Sequence, residues 1–456
     1  MSSDKPKRRE KPFHEPPIHA RHWGYQLALP WVWSGVTRFH RTSVRSGLEN
    51  MPAPKTPTIL VCNHQNGLMD PIIHCSFLPQ HHIHWLTRSD IFYQKIVRAL
   101  LFSFNMLPIY RRRDRLSDTR ERNQRIFEVC VERLRLGAVV GLFPEGNHHG
   151  ERGLRPLKRG VADMVTMAVN MDPTLLERLQ VVPVGLDYEQ YDGFQRRLGY
   201  RMGAPMDFRK HLSQERDGSW AMDVAGFARD LATTMQALMI DIPEQPVKGR
   251  DFVPYAGALR TTEREGADFE QVRDRVKGLA KANNGDEIVT AAERLRASGA
   301  LDGVRPEDIG RTAAERRRGR VLPWVLAPFA VVGGLALWPV LPVLKAQADK
   351  RVKDICFKST FKTTVGMVAL PVFWLVLSVV AALVVGAQTD GWSWTAFGAL
   401  YAFNVLGTRL AGSWSGLMRD EMGALAAKRF WAEGGEKVRV WSEYVNTIER
   451  GIKQGK

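Results

Sequence analysis

Ile59-Leu-Val-Cys-Asn-His-Gln-Asn-Gly-Leu-Met-Asp-Pro-Ile72 passes from an apolar run through a polar turn into a proline-opened helix. The run Thr58–Cys62 reads as a buried strand. Pro71 suits the first helical turn, where its missing N–H has no partner to lose, and Asp70 is placed as the N-cap before it. His64 thus leaves a buried strand into a polar loop, with a carboxylate six residues later. One reading is local: Asp70 caps and His64 is a loop histidine. The other is a histidine base oriented by a carboxylate, able to take a proton from a hydroxyl.

The same alternation recurs on the C-terminal side. Ile83–Thr87, Leu107–Tyr110, Ala138–Phe143 and Val181–Leu186 predict further buried strands. Helices are predicted near 71–78, 90–104, 118–136, 158–171 and 220–238. Strands separated by helical segments define an α/β fold, a sheet flanked by helices. Pro183 inside the last strand lacks an N–H and argues for an edge or a bulge.

Composition narrows the function classes. The chain has 456 residues, enough for two or three structural units, and 44% hydrophobic with 25% charged residues marks a folded protein. Four scattered cysteines with no Cys-x-x-Cys pair exclude a disulfide scaffold and a cysteine-built zinc site. A net charge of +17 points to an anionic partner such as anionic membrane lipids, a phosphorylated substrate or nucleic acid. No binding fold or interleaving of aromatic and basic residues supports nucleic acid. His82 and His84 alternate along a strand and no carboxylate cluster completes a metal set with His148-His149, so no metal site is expected.

Three more segments have chemistry-bearing residues at strand ends. Asn105-Met-Leu-Pro-Ile-Tyr-Arg-Arg-Arg113 closes a short strand with three arginines, and Gly141-Leu-Phe-Pro-Glu-Gly-Asn-His-His-Gly150 turns on glycine after another. Val181-Val-Pro-Val-Gly-Leu186 is the third. Together with Asn63-His64 and Asp70, these segments resemble, in order, the motifs of the glycerolipid O-acyltransferase family, typified by lysophosphatidate and glycerol-3-phosphate acyltransferases. Pro108, Ile109 and Arg111 match its Pro-Ile-x-Arg, Phe143–Gly146 its Phe-Pro-Glu-Gly, and Pro183-Val184 its Pro-Val. Leu157-Lys-Arg-Gly160 resembles the basic-Gly element that follows the third motif. The resemblance covers roughly residues 25–240. It departs from the common pattern by five residues, not four, between His64 and Asp70, and by Asn147-His148-His149 where Thr or Ser with Arg is usual.

The resemblance implies that a fatty acyl group passes from acyl-CoA or acyl carrier protein to a glycerol-3-phosphate or lysophosphatidate hydroxyl. It makes His64 the base and Asp70 the group that fixes its tautomer, with catalysis needing no cofactor beyond the donor substrate. Arg111, Lys158 and Arg159 would hold the acceptor phosphate by charge-assisted bonds, and Glu145 and Gly146 would contact the acceptor. Acceptors without the phosphate, or a non-catalytic lipid-binding scaffold of the same fold, are the competing functions.

The expected organisation is a disordered basic leader over 1–20, an acyltransferase domain over 21–245 opening on an interfacial helix, a polar helical segment over 246–320 and a membrane region over 321–456. Trp23, Trp31 and Trp33 beside arginines suit a membrane interface, the alternative being a core helix packed on the next domain. Val321–Leu344, Val365–Ala387 and Gly391–Thr408 carry no formal charge and approach the ~20 residues a spanning helix needs. Basic flanks on both sides of 321–344, with Gly333-Gly334 and four prolines inside it, predict a re-entrant hairpin. Helices over 365–387 and 391–408 then cross out and back, leaving a cytoplasmic tail. The chain is expected to be a multi-pass membrane protein with its catalytic domain facing the cytoplasm.

Overall fold

The computed structural model describes residues 12–18, 23–111, 114, 116–148, 152–188, 190–242, 269–304, 306–309, 321–335, 337, 339–389 and 391–454. Its sheet has seven strands in the order β1 (His40–Ser46), β7 (Arg196–Met202), β6 (Gln180–Tyr188), β2 (Thr58–Cys62), β5 (Val139–Leu142), β3 (Ile83–Arg88) and β4 (Met106–Ile109). Strands β6, β2, β5, β3 and β4 are parallel; β7 is antiparallel to β6 and carries β1 parallel to itself. All five parallel strands therefore end at one edge, and the loops that follow them share it. This is the α/β sheet flanked by helices that the sequence predicts.

Strand β2 shows why. Ile59 and Val61 join a core with helices α4 (Thr119–Arg135), α5 (Gly160–Met171) and α6 (Val224–Leu238). Leu60 and Cys62 join the opposite core, with α1 (Trp23–Phe39) and α2 (Met69–Phe77). Helix α3 (Lys95–Ser103) lies beside β4. A strand covered on both faces must be apolar at every position, which is why Thr58–Cys62 reads as an unbroken run.

Strands β1 and β7 have no counterpart in the sequence reading. His40-Arg-Thr-Ser-Val-Arg-Ser46 is polar, and Arg196-Arg-Leu-Gly-Tyr-Arg-Met202 hides the buried Leu198, Tyr200 and Met202 among arginines. Pro183 is not on an edge, since β6 lies between β7 and β2. Its ladder with β7 begins only at Val184, opposite Met202, while Val181 bridges Met206. The partner segment therefore holds one residue more than the stretch it faces, and the missing N–H falls at that irregularity.

Residues 12–18 are not part of a disordered leader. Arg133, fully buried, donates from Nη2 to Pro17 O at 2.7 Å, and Arg125 Nε donates to Glu15 at 2.8 Å. A buried guanidinium needs acceptors, and this segment supplies one. The remainder of 1–22 lies outside the described residues.

The expected boundary at 320 also gives way. Helices α7 (Phe269–Ala280), α8 (Gly285–Ala297) and α13 (Gly435–Gln454) share a third core with the end of α12 (Trp394–Glu433). Trp441, Tyr444, Ile448 and Ile452 recur at helical spacing and bury one face of α13, so the basic tail is a packed amphipathic helix. Residues 243–268 and 310–320 lie outside the described residues.

Between these halves run the apolar helices. Segment 321–344 is broken into α9 (Val321–Gly334) and α10 (Val340–Arg351). A Cβ on Gly333 would lie 2.6 Å from Gly407 O, so α9 and α12 cross with glycine against glycine. Helix α11 (Ile355–Gly386) contains the 30-residue span Phe357–Gly386, about 45 Å long against a hydrocarbon core of about 30 Å, and apolar from Val365 on apart from Ser378. Residues 391–408 are not a helix of their own. Helix α12 begins at Trp394 and meets Arg409 after a stretch of only about 22 Å before continuing to Glu433. Among the described residues one helix, not two, is long and apolar enough to cross a membrane.

Two histidines in the sheet domain are fully enclosed. Burial pushes His74 down to about 3 and His40 down to about 4. Both stay neutral when folded, while the unfolded chain binds their protons below about pH 6.5. Stability should therefore fall as pH drops from about 6.5 towards 4, by up to about 1.4 kcal/mol per pH unit for each histidine. Melting temperatures between pH 7.5 and 5 check this, and a His40→Asn, His74→Gln variant should show a flatter profile.

Candidate active site

The shared edge of the parallel strands assembles the site. Strands β2 and β5 are neighbours, with Val61 paired to Leu142, so the loops that begin at Asn63 and Phe143 emerge side by side. Strand β6 flanks β2 on the other side, with Cys62 paired to Val184. Crevices at the carboxyl ends of parallel strands are the usual ligand sites of such sheets.

His64 Nδ1 lies 2.8 Å from Asp70 Oδ2. Asp70 is completely buried, and the same oxygen accepts the amides of Gln65 and Asn66 at 2.8 and 2.9 Å. Its other oxygen accepts the Tyr188 hydroxyl at 2.5 Å. Asp70 lies inside the first turn of α2 rather than capping it: its acceptors turn back onto the preceding loop, and Leu68 precedes the helix. An ionised carboxylate only accepts, so the shared proton sits on Nδ1 and Nε2 is the basic nitrogen. The imidazole is partly exposed, and it stacks on Phe143 at 4.1 Å between centroids, 18° between planes.

Glu145 binds the two loops together. Its Oε1 accepts the His64 amide at 2.7 Å and its Oε2 accepts the Arg155 amide at 3.2 Å. The family resemblance implies an acceptor contact for Glu145; in this structure the side chain is buried and holds the backbone of His64. Gly146 has φ +73, and a Cβ there would lie 2.4 Å from Lys158 Nζ. Lys158, anchored by its amide to Pro144 O at 2.8 Å, thus has its ammonium against the Phe-Pro-Glu-Gly turn.

The other basic residues are placed differently. Arg159 is exposed and holds Asp163 one turn along α5, at 2.9 Å. Arg111 follows β4 at the far edge of the sheet, three strand spacings from β2, or about 14 Å. Its guanidinium lies 3.5 Å from both Asp90 and Asp114. Arg112, Arg113 and His149 are outside the described residues.

Sequence reasoning missed several neighbours of His64. Tyr188 stands 118 positions from the Asp70 it supports. His148 meets the His64 ring edge-on at 5.4 Å and reaches Asp354 at 2.9 Å. Ser359, fully buried in α11, donates to Asn66 Oδ1 at 2.7 Å. No local signal marks residues 200 or more positions apart, and Tyr188 lies beyond the predicted strand Val181–Leu186, in the last position of β6.

Residues 43–187 match the Acyltransferase family model. Eighty-four residues are 38% identical to glycerol-3-phosphate O-acyltransferase 2 of Saccharomyces cerevisiae, 18% of this chain and 11% of that protein. Over 169 residues the chain is 27% identical to the chloroplastic 1-acyl-sn-glycerol-3-phosphate acyltransferase BAT2 of Brassica napus, 37% of this chain and 46% of that one. The chain thus spans less than half the length of these curated relatives. Among solved structures, the 1-acyl-sn-glycerophosphate acyltransferase PlsC of Thermotoga maritima aligns with TM-score 0.33 and 16% identity, over 45% of this chain and 76% of that one. The segment with His64, Asp70, Arg111 and Glu145 is an acyltransferase domain. Its curated relatives are glycerol-3-phosphate and 1-acyl-sn-glycerol-3-phosphate acyltransferases, to which it is similar.

The Gly146 turn gives a direct test. Gly146→Ala must hold alanine in left-handed backbone, about 1–2 kcal/mol, and must push the Lys158 ammonium aside. Denaturation should show that loss, and a Lys158→Ala background should recover the steric part and leave the backbone part.

Proposed function

We propose that the chain is a membrane-bound acyltransferase that moves a fatty acyl group from acyl-CoA or acyl carrier protein to the hydroxyl of glycerol 3-phosphate or lysophosphatidate. The observation that carries this is the His64–Asp70 pair at 2.8 Å, set at the strand edge of an acyltransferase domain. His64 Nε2 takes the proton as the acceptor oxygen attacks the thioester carbonyl. The new C–O bond forms, the C–S bond breaks, and the thiol leaves with a proton returned by His64. Asp70 holds the tautomer and balances the transient imidazolium, as the carboxylate does in a serine triad, but the nucleophile belongs to the substrate. Acceptors named for the relatives are phosphorylated glycerols, which suits the Lys158 ammonium beside the Phe-Pro-Glu-Gly turn and the Arg111 guanidinium at the same sheet edge.

Membrane attachment is supported by Phe357–Gly386 and by the exposed Trp23, Leu27, Trp31 and Trp33 of α1. In the multi-pass reading the α9–α10 break marks a re-entrant hairpin. Helix α11 is the segment long enough to cross, and Trp392 and Trp394, both exposed, lie at its far end. The basic segment 345–362, which spans the α10–α11 junction, then keeps the catalytic domain on the cytoplasmic side.

A thioester-release assay on the purified full chain tests the reaction. His64→Ala should lower kcat by about 10²–10⁴-fold with the melting transition retained. Wild-type turnover in that variant would remove His64 from the mechanism, and no turnover of wild type with any glycerol-phosphate acceptor would favour a lipid-binding scaffold.

Arg111 is tested separately. If it binds the acceptor phosphate, Arg111→Ala should raise the acceptor KM by about one to two decades and leave the donor KM nearly unmoved. An unchanged acceptor KM would confine Arg111 to its contacts with Asp90 and Asp114.

A further inference from the structure

A cavity of about 450 Å³ lies between α1, α10, α11 and α12, within the range of about 300–1,000 Å³ usual for small-molecule sites. Apart from Phe194 and Asp192, its walls come from these four helices, all outside the matched acyltransferase segment. Trp31, Leu341, Leu344, Met367, Leu370 and Trp374 make it chiefly apolar. Arg38, Lys345 and Lys362 also line it, and the acidic Asp192 is engaged by Lys362 Nζ through its carbonyl at 3.0 Å and its carboxylate at 3.4 Å. Two buried polar groups in the lining, the Thr363 hydroxyl and the Trp374 indole N–H, have no hydrogen-bond partner among the described residues. An apolar chamber with a cationic margin and unsatisfied buried donors fits an amphiphile with an anionic head.

Hydrogen bonds tie the walls of the cavity to the site. Asn66, two residues past His64, accepts from Ser359 and donates to Tyr191 O at 3.0 Å, and Asp192 follows Tyr191. Lys362 and Thr363 therefore stand one turn of α11 beyond the catalytic loop, and the lining continues from Lys362 to Trp374 for about 18 Å. The outer face of this helix exposes Val368, Val372, Leu375 and Val376, an apolar surface continuous with the cavity wall on the same helix.

We propose that this cavity takes the alkyl chain of a lysophospholipid acceptor, with the glycerol-phosphate end directed past Lys362 and Lys345 towards His64. The proposal rests on the acyltransferase reading above and sharpens it, because a chain site serves lysophosphatidate and is of no use to glycerol 3-phosphate. The test uses the full chain in lipid nanodiscs and lysophosphatidate with a diazirine at the end of its alkyl chain, with adducts mapped by mass spectrometry. Adducts are expected on the lining of 367–374 and 341–344, and they should be lost in Gly366→Leu, where a Cβ would start 3.5 Å from Leu344 Cδ1. Leu344→Phe closes the cavity from the α10 side and guards against a folding failure of the first variant. In steady-state assays each variant should raise the KM for oleoyl-lysophosphatidate relative to the hexanoyl form by at least roughly tenfold, the worth of about two methylenes displaced from apolar contact. Adducts confined to the exposed outer face, or cavity adducts formed by photoreactive acyl-CoA and not by lysophosphatidate, would overturn the proposal. Cavity labelling by lysophosphatidate without acyl transfer to any acceptor would support the lipid site and sink the acyltransferase reading instead.

Discussion

Asp70 is an acidic side chain with no exposed surface, and burying its charge is tolerable only because every direction around it supplies a donor. Two backbone amides, one phenol and one imidazole provide them. The donors come from the loop after β2 and the end of β6, so satisfying one carboxylate fixes the turn, the ring orientation of His64 and the approach of a neighbouring strand. Glu145 does the same on the β5 side with two more amides. The site is therefore held by charge burial more than by the packing of its own side chains.

That arrangement requires parallel β6, β2 and β5 in the observed order. An antiparallel neighbour would send its following loop to the opposite edge. The antiparallel β7, beside β6, and its partner β1 form the margin of the sheet opposite β4. Arg111 shows the reach of the same geometry. It shares the edge because β4 is parallel, yet it sits at the sheet margin, where Asp90 and Asp114 meet its guanidinium.

The C-terminal region is joined to this edge rather than appended to it. Asp354 on His148, Ser359 on Asn66 and Lys362 on Asp192 are successive contacts of α11 and the residues before it with the catalytic face. Arg419 of α12 adds bonds to the carbonyls of Phe194 and Gln195. The apolar helices and the loops after β2 and β5 therefore pack as one body.

Local pattern was enough for the α/β class, because strands buried on both faces must be apolar throughout and helices between them must be amphipathic. His64, Asp70 and the Phe143–Gly146 turn were legible as strand-end residues and by family resemblance. Strands β1 and β7 were not, since β1 is polar and the arginines of β7 mask its buried alternation; of the edge or bulge that Pro183 implied, the structure has the bulge, carried by the facing segment. The helical face of Trp441, Tyr444 and Ile448 was present in the sequence, but not the core that it covers. Tertiary structure alone decided that Glu145 clamps the His64 backbone, that Tyr188 completes the shell of Asp70, and that α11 lies over the catalytic loop. Those contacts join residues 80 to nearly 300 positions apart, and nothing in a chain's local periodicity encodes which distant donor will satisfy a buried charge.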